Sequence, residues 1–324
     1  MIPLPNESNA HVPQEGNQPA TDQPVPPVTA DSREIIYRFG SDGIITFVNS
    51  AFCDFFGRSR EESVGSKWHL IALTEEVPMI ESHLHSLSAE NPAVVFESRV
   101  YSGTREIRWM EFVSYAWFDL AGFPTKTQCV GRDISERKQM EAIQSFLAQS
   151  SGTMPAEPFF NSLARFLAQS LAMDFVCIDR LEGDGLNART LAVWCDGRFE
   201  DNVTYALKDT PCGVLVGKRV CCYPAKVSQF FPNDPVLQDL RAESYVGVTL
   251  FNHAGQPIGL IATIRRSPIT NRALAEAALQ LVALRAAGEL ERVQTETAMR
   301  ESEQQYRSLF EHMNEGLAYC RMLF

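Results

Sequence analysis

Short alternating apolar segments and helical patterns divide the chain into two successive groups. In the first group, apolar residues at 35–39 and 44–48 flank Ser41-Asp42-Gly43, a pattern typical of a β-hairpin. Residues 50–91 carry apolar residues at helical spacing, with Gly57 as a stop signal. Three further strands are predicted at 94–101, 108–117 and 127–131. The first group therefore predicts two strands, helices, and then three strands.

The second group begins with a helix, since Asp133 and Glu136 have the spacing of a capping box. The helix is expected to run to about Gln149. An antiparallel sheet should follow, with strand candidates at 175–181, 190–194, 219–223, 245–251 and 258–265. The fold class predicted is α+β, with two antiparallel-sheet domains joined by amphipathic helices.

A long amphipathic helix is predicted after the second sheet, over 272–312. Its apolar stripe is Leu279, Val282, Ala286, Leu290 and Val293. Because a stripe of this length is longer than a monomer normally exposes, we expect a homodimer joined through the helices at 133–149 and 272–300.

Composition limits the classes of function. Residues 1–30 hold seven of the 18 prolines and few apolar residues, so this segment is expected to be disordered. The net charge of −11 opposes binding to nucleic acid or anionic lipid. No apolar run reaches the ~18 residues that a membrane helix needs, and no export signal is seen, so we expect a cytoplasmic protein without membrane contact.

Several motifs of the first group resemble a PAS domain with its PAC region. They are Asp42-Gly43-Ile44-Ile45, Val48-Asn49, Arg108-Trp109 and Gly131-Arg132-Asp133-Ile134-Ser135-Glu136. The second group resembles a GAF domain of bacterial sensor proteins, at Thr210-Pro211-Cys212-Gly213, Tyr223-Pro224, Phe231-Pro232, Glu243-Ser244-Tyr245-Val246-Gly247 and Pro257-Ile258-Gly259-Leu260. Residues 301–316 resemble the opening of another PAS domain.

These resemblances predict a domain order along the chain. We expect a disordered segment (1–30), a PAS domain (31–132), a connecting helix (133–154), a GAF domain (155–270), a long helix (271–312) and the truncated start of a second PAS domain (313–324). The helix should end near Met313. The remaining residues resemble the beginning of a strand, and because a lone strand leaves its backbone groups without partners, we expect them to be mobile or attached to a neighbouring surface.

The resemblance implies a sensory input segment of the kind found in bacterial two-component systems. The PAS and GAF units would sense a small molecule or redox cue and relay it through helices to an output kinase or cyclase domain, in cis or in trans. We expect no enzyme activity, since no kinase, cyclase or hydrolase motif is present. The alternative is the N-terminal part of a histidine kinase (phosphorelay) or a diguanylate cyclase.

Two groups of residues are candidates for ligand pockets, although both also suit a filled core. The PAS candidates are Phe47, Phe52, Phe56, Trp68, Phe96, Trp109 and Phe112, and the GAF candidates are Phe175, Cys177, Trp194, Cys212 and Tyr245. Asp133, Ile134 and Glu136 are candidates for signal relay, since they lie where the last PAS strand becomes a helix.

We expect neither a metal nor a resident cofactor. Haem is the weighed alternative, with His83 or His85 as ligand. Two residues apart on a helix, these side chains point about 200° from each other, so at most one faces the pocket.

Overall fold

The computed structural model describes residues 34–149, 156–183 and 185–321, and it divides the chain into two compact units between Asp133 and Ile134. Side chains are described except at 156–158 and 310–321. The expected disordered segment 1–30 lies outside the described residues, as do 322–324.

The first unit is a five-stranded antiparallel sheet with its helices inserted between the second and third strands. The sheet order is β2-β1-β5-β4-β3. The strands are β1 (Ile35–Gly40), β2 (Ile45–Val48), β3 (Ala93–Tyr101), β4 (Ile107–Phe118) and β5 (Pro124–Asp133). The helices are α1 (Ser50–Phe56), α2 (Arg60–Ser63), a 3-10 turn (Trp68–Ile71) and α3 (Val77–His85). The predicted order of strands and helices is confirmed.

Asn49 explains why the hairpin leads directly into α1. Its side-chain oxygen accepts hydrogen bonds from the backbone N–H groups of Ile36 and Phe52, each at 3.0 Å. Its amide nitrogen donates to the carbonyl of Glu34 at 2.8 Å. One fully buried side chain therefore caps the helix and fixes it to β1. Gly57, at φ 61°, ends the helix in the left-handed conformation.

The second unit surrounds a larger antiparallel sheet, in which the order β10-β11-β12-β6-β7-β8 is joined by β9 pairing with β7. The strands are β6 (Phe175–Glu182), β7 (Asn187–Cys195), β8 (Arg198–Glu200), β9 (Thr204–Ala206), β10 (Val220–Tyr223), β11 (Ser244–Phe251) and β12 (Pro257–Arg265). The helices are α4 (Ser135–Gln149), α5 (Ala156–Ser170), α6 (Pro211–Leu215), α7 (Val227–Phe230), α8 (Pro235–Asp239) and α9 (Arg272–Arg321). The predicted α+β class with two antiparallel sheets is confirmed.

The second sheet separates two hydrophobic cores. One core contains residues of α4, α5 and α9 with alternate strand positions such as Val176, Val246 and Ile261. The other contains the intervening positions, among them Cys177, Tyr245 and Ala262, with residues of the short helices. Because successive strand residues point to opposite faces, each strand contributes to both cores.

The apolar stripe of α9 is covered within its own unit. Leu279, Val282, Ala286 and Leu290 are buried in the core formed with β11 and β12, and Ile143 of α4 is fully buried in the same core. The argument that these stripes need a second copy of the chain to cover them was therefore wrong. The sequence pattern indicated a buried face, but it could not show that a sheet of the same unit covers it.

The end of α9 also differs from the expectation. The backbone is helical to Arg321, past the predicted end near Met313, and 314–321 form no strand. A helix satisfies its backbone hydrogen bonds within the segment, whereas a single strand leaves them without partners. This difference in hydrogen bonding explains why 314–321 are helical, although their sequence resembles the start of a strand.

The start of α4 lies one residue later than the capping-box prediction. Asp133 is the last residue of β5, and the first backbone bond of the helix runs from the Lys138 N–H to the Ile134 carbonyl at 2.9 Å. Ile134 therefore occupies the position before the helix. Glu136 accepts a hydrogen bond from the side chain of Asn271. Asn271 also accepts one from the Leu274 N–H at 3.0 Å, which caps the start of α9.

Candidate ligand cavity in the second unit

A cavity of about 330 Å³ lies on the face of the second sheet opposite α4, α5 and α9. The sheet provides its floor, and α6, α8 and the loop and short strand at 200–205 provide its walls. The floor residues come from β6, β7, β11 and β12; they are Phe175, Cys177, Thr190, Val193, Cys195, Tyr245, Ala262 and Ile264. The wall residues are Glu200, Asp201, Val203, Tyr205, Thr210, Pro211, Cys212, Asp234, Val236 and Leu237.

The motif Thr210-Pro211-Cys212-Gly213 builds the wall at α6. The Thr210 hydroxyl accepts a hydrogen bond from the Gly213 N–H at 3.1 Å and donates to the Leu207 carbonyl at 2.7 Å. A Cβ on Gly213 would lie 2.1 Å from that carbonyl oxygen, so only glycine fits there. Pro211 suits the first turn, where its missing N–H costs nothing. This packing sets Cys212 Sγ 3.4 Å from the Tyr245 hydroxyl.

A buried carboxyl lies beside two of the wall and floor residues. The Tyr205 hydroxyl donates to Asp179 Oδ2 at 2.8 Å, and Cys177 Sγ donates to the same oxygen at 3.4 Å. Asp179 is fully buried, and its Oδ1 has no hydrogen-bond partner among the described residues. Its contacts fix Tyr205, which lies on the short strand β9, to the central strand β6.

Burial dominates the acid–base properties of this cluster. It raises the pKa of Asp179 to about 6, although the hydrogen bonds from Tyr205 and Cys177 act in the opposite direction. Burial also raises the pKa of Cys212 to about 12 and that of Cys177 well above its ordinary value. Both thiols are therefore protonated at neutral pH, which makes them weak nucleophiles.

The cavity wall carries acidic groups and no basic ones. None of its lining residues is Lys, Arg or His, whereas Glu200, Asp201 and Asp234 are acidic. Glu200 is paired with Arg198, whose Nε lies 2.8 Å from the Glu200 carboxylate. Asp234 caps α8 by accepting hydrogen bonds from the N–H groups of Val236 and Leu237.

Four of the five residues predicted for this pocket line the cavity, and Trp194 does not. Phe175, Cys177, Cys212 and Tyr245 lie together as expected. Trp194 is paired with Val176 across β6 and β7, and directly opposed residues share a face of the sheet. It therefore packs against the core with the long helices and contacts Phe199, with ring centroids 4.8 Å apart.

In the first unit, the predicted pocket residues are divided between two faces of the sheet. Phe52, Phe56, Trp68, Phe96 and Phe112 are buried in one core. Phe47 and Trp109 lie outside it and contact arginines instead: Arg38 lies 5.1 Å from the Phe47 ring, and Arg99 lies 5.8 Å from the Trp109 ring. The prediction of one seven-residue aromatic pocket was therefore wrong for these two residues.

The two histidines considered as haem ligands differ in environment. His83 stacks on Phe96, with ring centroids 5.3 Å apart and planes 4° apart, whereas His85 is exposed. Within residues 34–149, 156–183 and 185–321, no cluster of three or more His, Cys, Asp or Glu side chains is placed to hold a metal ion. The helices among these residues include none that is both long and apolar enough to cross a bilayer.

Three residues at the cavity, Asp179, Tyr205 and Asp234, were not predicted from the sequence. Asp179 did have a signal, because it continues the alternation of Phe175 and Cys177 and so places a carboxyl on an apolar face. Tyr205 lies in a three-residue strand among polar residues, where no periodicity can be read. Asp234 precedes Pro235, which is a helix-start signal that had not been used.

Comparison with known proteins shows what the first unit is similar to. Residues 30–139 match the family described as the PAS fold. A two-component sensor of Pseudomonas aeruginosa, PprA, is 28% identical over 126 residues, which is 38% of this chain and 14% of that protein. The chain thus spans only a small part of this relative, and it contains a sensory domain similar to sensor kinase input domains.

Solved structures with PAS, GAF and phytochrome domains are similar to parts of the chain. The PAS domain of a protein from Colwellia psychrerythraea is 20% identical and covers 32% of this chain and 87% of its own (TM-score 0.30). The GAF domain of an Acinetobacter phosphoenolpyruvate-protein phosphotransferase is 12% identical, and the match covers 50% of this chain and 98% of that structure (TM-score 0.42). The chromophore-binding domain of an R. palustris bacteriophytochrome is 10% identical, and the match covers 81% of this chain and 95% of that structure (TM-score 0.40).

Proposed function

We propose that the chain is a non-catalytic sensory and dimerisation module, in which the cavity of the second unit receives a small ligand and α9 carries the response. The PAS domain occupies 31–132 and the GAF domain 155–270, with the helices at 133–154 and from 271 onward as relays. The response would be passed to a histidine kinase or diguanylate cyclase domain, in cis or in trans. The protein would act in the cytoplasm as part of a two-component system.

The observation that carries this proposal is the sharing of one sheet by the cavity and the long helix. On β12, Ala262 and Ile264 line the cavity, while Ile261, the residue before Ala262, packs on the opposite face in the core that holds α9. Tightly packed cores transmit small displacements because they have few voids in which to absorb them. A ligand that moves β12 would therefore press on the helix from the opposite face.

Two contacts couple α9 to other parts of its unit. The tip of the β11–β12 hairpin reaches α9 through His253, whose Nδ1 and backbone N–H both contact the Glu291 carboxylate. At the other end, Glu136 of α4 holds Asn271, which caps α9. Glu136 was a predicted relay residue, and this contact supports giving it that role.

Dimerisation is assigned to the part of α9 that follows its last contacts with the core of the second unit. Among the side chains of α9 described up to residue 309, Leu290 is the last that is fully buried, and Met299, Tyr306 and Leu309 are more than half exposed. Apolar side chains spaced seven and three residues apart lie on one side of a helix, as in a two-helix contact. We therefore place the homodimer contact on these residues and not on the buried stripe.

The relay is tested by filling the cavity and following α9. Val193→Phe adds volume inside the cavity, as a ligand would, and should change hydrogen exchange of the amides at 286–300. Val95→Phe is the control, since Val95 is 60% exposed on the PAS sheet. If Val193→Phe leaves the second unit folded and the exchange of 286–300 matches that of the control, the proposed relay is wrong.

A second candidate is the N-terminal part of a sensor histidine kinase or diguanylate cyclase. The aligned relative favours it, because it is a two-component sensor of which the aligned region is 14%. The chain itself should retain no radiolabelled phosphate after incubation with ATP, and retention of label would contradict the non-catalytic proposal.

A further inference from the structure

We propose that the cavity of the second unit takes an uncharged, flat aromatic molecule that carries a single hydroxyl or N–H group, and that it rejects anions. This inference rests on the proposed function, since it names the ligand class of the same cavity. It follows from the charge of the wall, from the occupied state of its polar groups and from its volume.

The charge of the wall disfavours anionic ligands. A cationic side chain is the strongest partner for a phosphate or carboxylate, and the lining contains no Lys, Arg or His. The acidic residues Glu200, Asp201 and Asp234 would add repulsion. A cyclic nucleotide, which always carries a phosphate, does not fit this electrostatic environment.

The interior also offers little to a cation. Asp234 already accepts hydrogen bonds from two backbone N–H groups, and Glu200 is paired with Arg198. The third acidic residue, Asp201, is exposed to solvent at the rim. An ammonium group in the apolar interior would therefore lose its hydration without a carboxylate beside it there. The wall therefore favours a neutral molecule.

The remaining polar atoms are mostly engaged with one another. The Tyr205 hydroxyl donates to Asp179, the Tyr245 hydroxyl contacts Cys212, and the Thr210 hydroxyl caps α6. A hydroxyl oxygen that donates one hydrogen bond still has a lone pair that can accept another. One donor on the ligand can thus be accommodated, whereas several polar groups would be left unpaired.

Shape and ring chemistry favour an aromatic ligand. The volume of about 330 Å³ is at the small end of ligand sites, so it suits one or two fused rings. The rings of Phe175, Tyr205 and Tyr245 line it, and they can pack edge-to-face or offset against another ring. The thiols of Cys177 and Cys212 add polarisable contacts.

The test uses two probes that share a ring and differ in charge. The full chain is titrated calorimetrically with 2-naphthol and with naphthalene-2-sulfonate, and we expect 2-naphthol to bind at least about tenfold more tightly. Val193→Phe should abolish 2-naphthol binding, while Val95→Phe should leave it unchanged. Asp201→Lys introduces a positive charge at an exposed rim position, so it should increase the affinity for the sulfonate several-fold without preventing folding.

The outcomes separate this inference from the proposed relay. Equal or tighter binding of the sulfonate, or no binding of 2-naphthol to the unsubstituted chain, would refute the ligand class but leave the relay untouched. Binding of 2-naphthol that is lost in Val193→Phe supports the ligand class. If that binding leaves hydrogen exchange at 286–300 unchanged, the ligand class stands and the relay fails.

Discussion

Gly259 is a position at which α9 packs tightly against the sheet, and replacing it with alanine tests that packing directly. An alanine Cβ would lie 2.5 Å from the backbone oxygen of Asp179, 2.7 Å from Leu290 Cδ2 and 3.2 Å from Leu250 Cδ1. Real Cβ atoms essentially never approach heavy atoms more closely than 3.0 Å. The Asp179 carbonyl belongs to β6, which pairs with β12, so it cannot move without disturbing the ladder.

The expected cost follows from overpacking. Inserting a methyl group into a filled site costs about 1–3 kcal/mol. The lower chain entropy of alanine in the unfolded state offsets about 0.4–1 kcal/mol of that cost. We therefore expect the second unit to lose about 1–2 kcal/mol of stability, with Leu290 displaced from the sheet.

The assay needs to report on each unit separately. Hydrogen exchange in increasing urea, resolved by peptide, gives the free energy of opening for the two units in one experiment. Gly288→Ala is the matched control, because Gly288 lies in α9 with nothing within 4 Å of the added Cβ. It should stabilise the second unit by about 0.5–1 kcal/mol. Equal effects of the two substitutions would refute the close contact between α9 and β12.

Three further predictions concern a titrating group, a cap and the dimer. The difference in unfolding free energy between Asp179→Asn and the unsubstituted chain should change with pH. As pH rises from about 5 to about 7.5, it should shift in favour of the variant by roughly 1–1.5 kcal/mol, measured by urea denaturation at each pH. The raised pKa of Asp179 makes the folded state bind more protons than the unfolded state. The unsubstituted chain therefore loses stability as pH rises from about 4 to above 6, whereas the asparagine variant does not. A difference in stability between the two chains that does not change with pH would contradict this prediction. Asn49→Ala should destabilise the PAS unit by about 2–4 kcal/mol, since it leaves buried N–H groups unpaired, against about 1 kcal/mol for the exposed cap Ser59→Ala; equal midpoints in thermal unfolding would be inconsistent with this. If the proposed homodimer forms through α9, replacing Tyr306 and Leu309 together with Asp should lower the mass in light scattering from that of a dimer to that of a monomer, without lowering the unfolding temperature. An unchanged dimer mass would place the contact elsewhere.

The elements that could be predicted from the sequence are those with local causes. The hairpin before Asn49 follows from the turn residues Ser41-Asp42-Gly43, and α1 ends where Gly57 allows the left-handed conformation. The short helices α6, α7 and α8 were not predicted, because a helix of four or five residues has too few positions to show a period.

Side-chain direction was less predictable than element type, and the two aromatic errors have different origins. Trp109 and Phe112 are three residues apart on one strand, so alternation already places them on opposite faces. That error was avoidable. The face of Trp194 depends on its register with β6, which is shifted by an irregularity between Ile178 and Asp179. A shift of one residue exchanges the two faces, and the sequence gives no local sign of it.

The shared sheet also limits how a ligand in the cavity can act on α9. A ligand changes an equilibrium only through its different affinities for the two states, so a neutral ring that binds both arrangements of β12 equally would transmit nothing. The two faces of β12 do differ in what they tolerate. At the helix face, Gly259 leaves no room for even one methyl group beside Leu290, whereas the opposite face borders a cavity of about 330 Å³. Displacement of β12 towards the cavity is therefore less costly than displacement towards the helix. An occupied cavity removes the less costly direction, which is why its occupancy should bear on α9 more than a substitution on the exposed face of the PAS sheet.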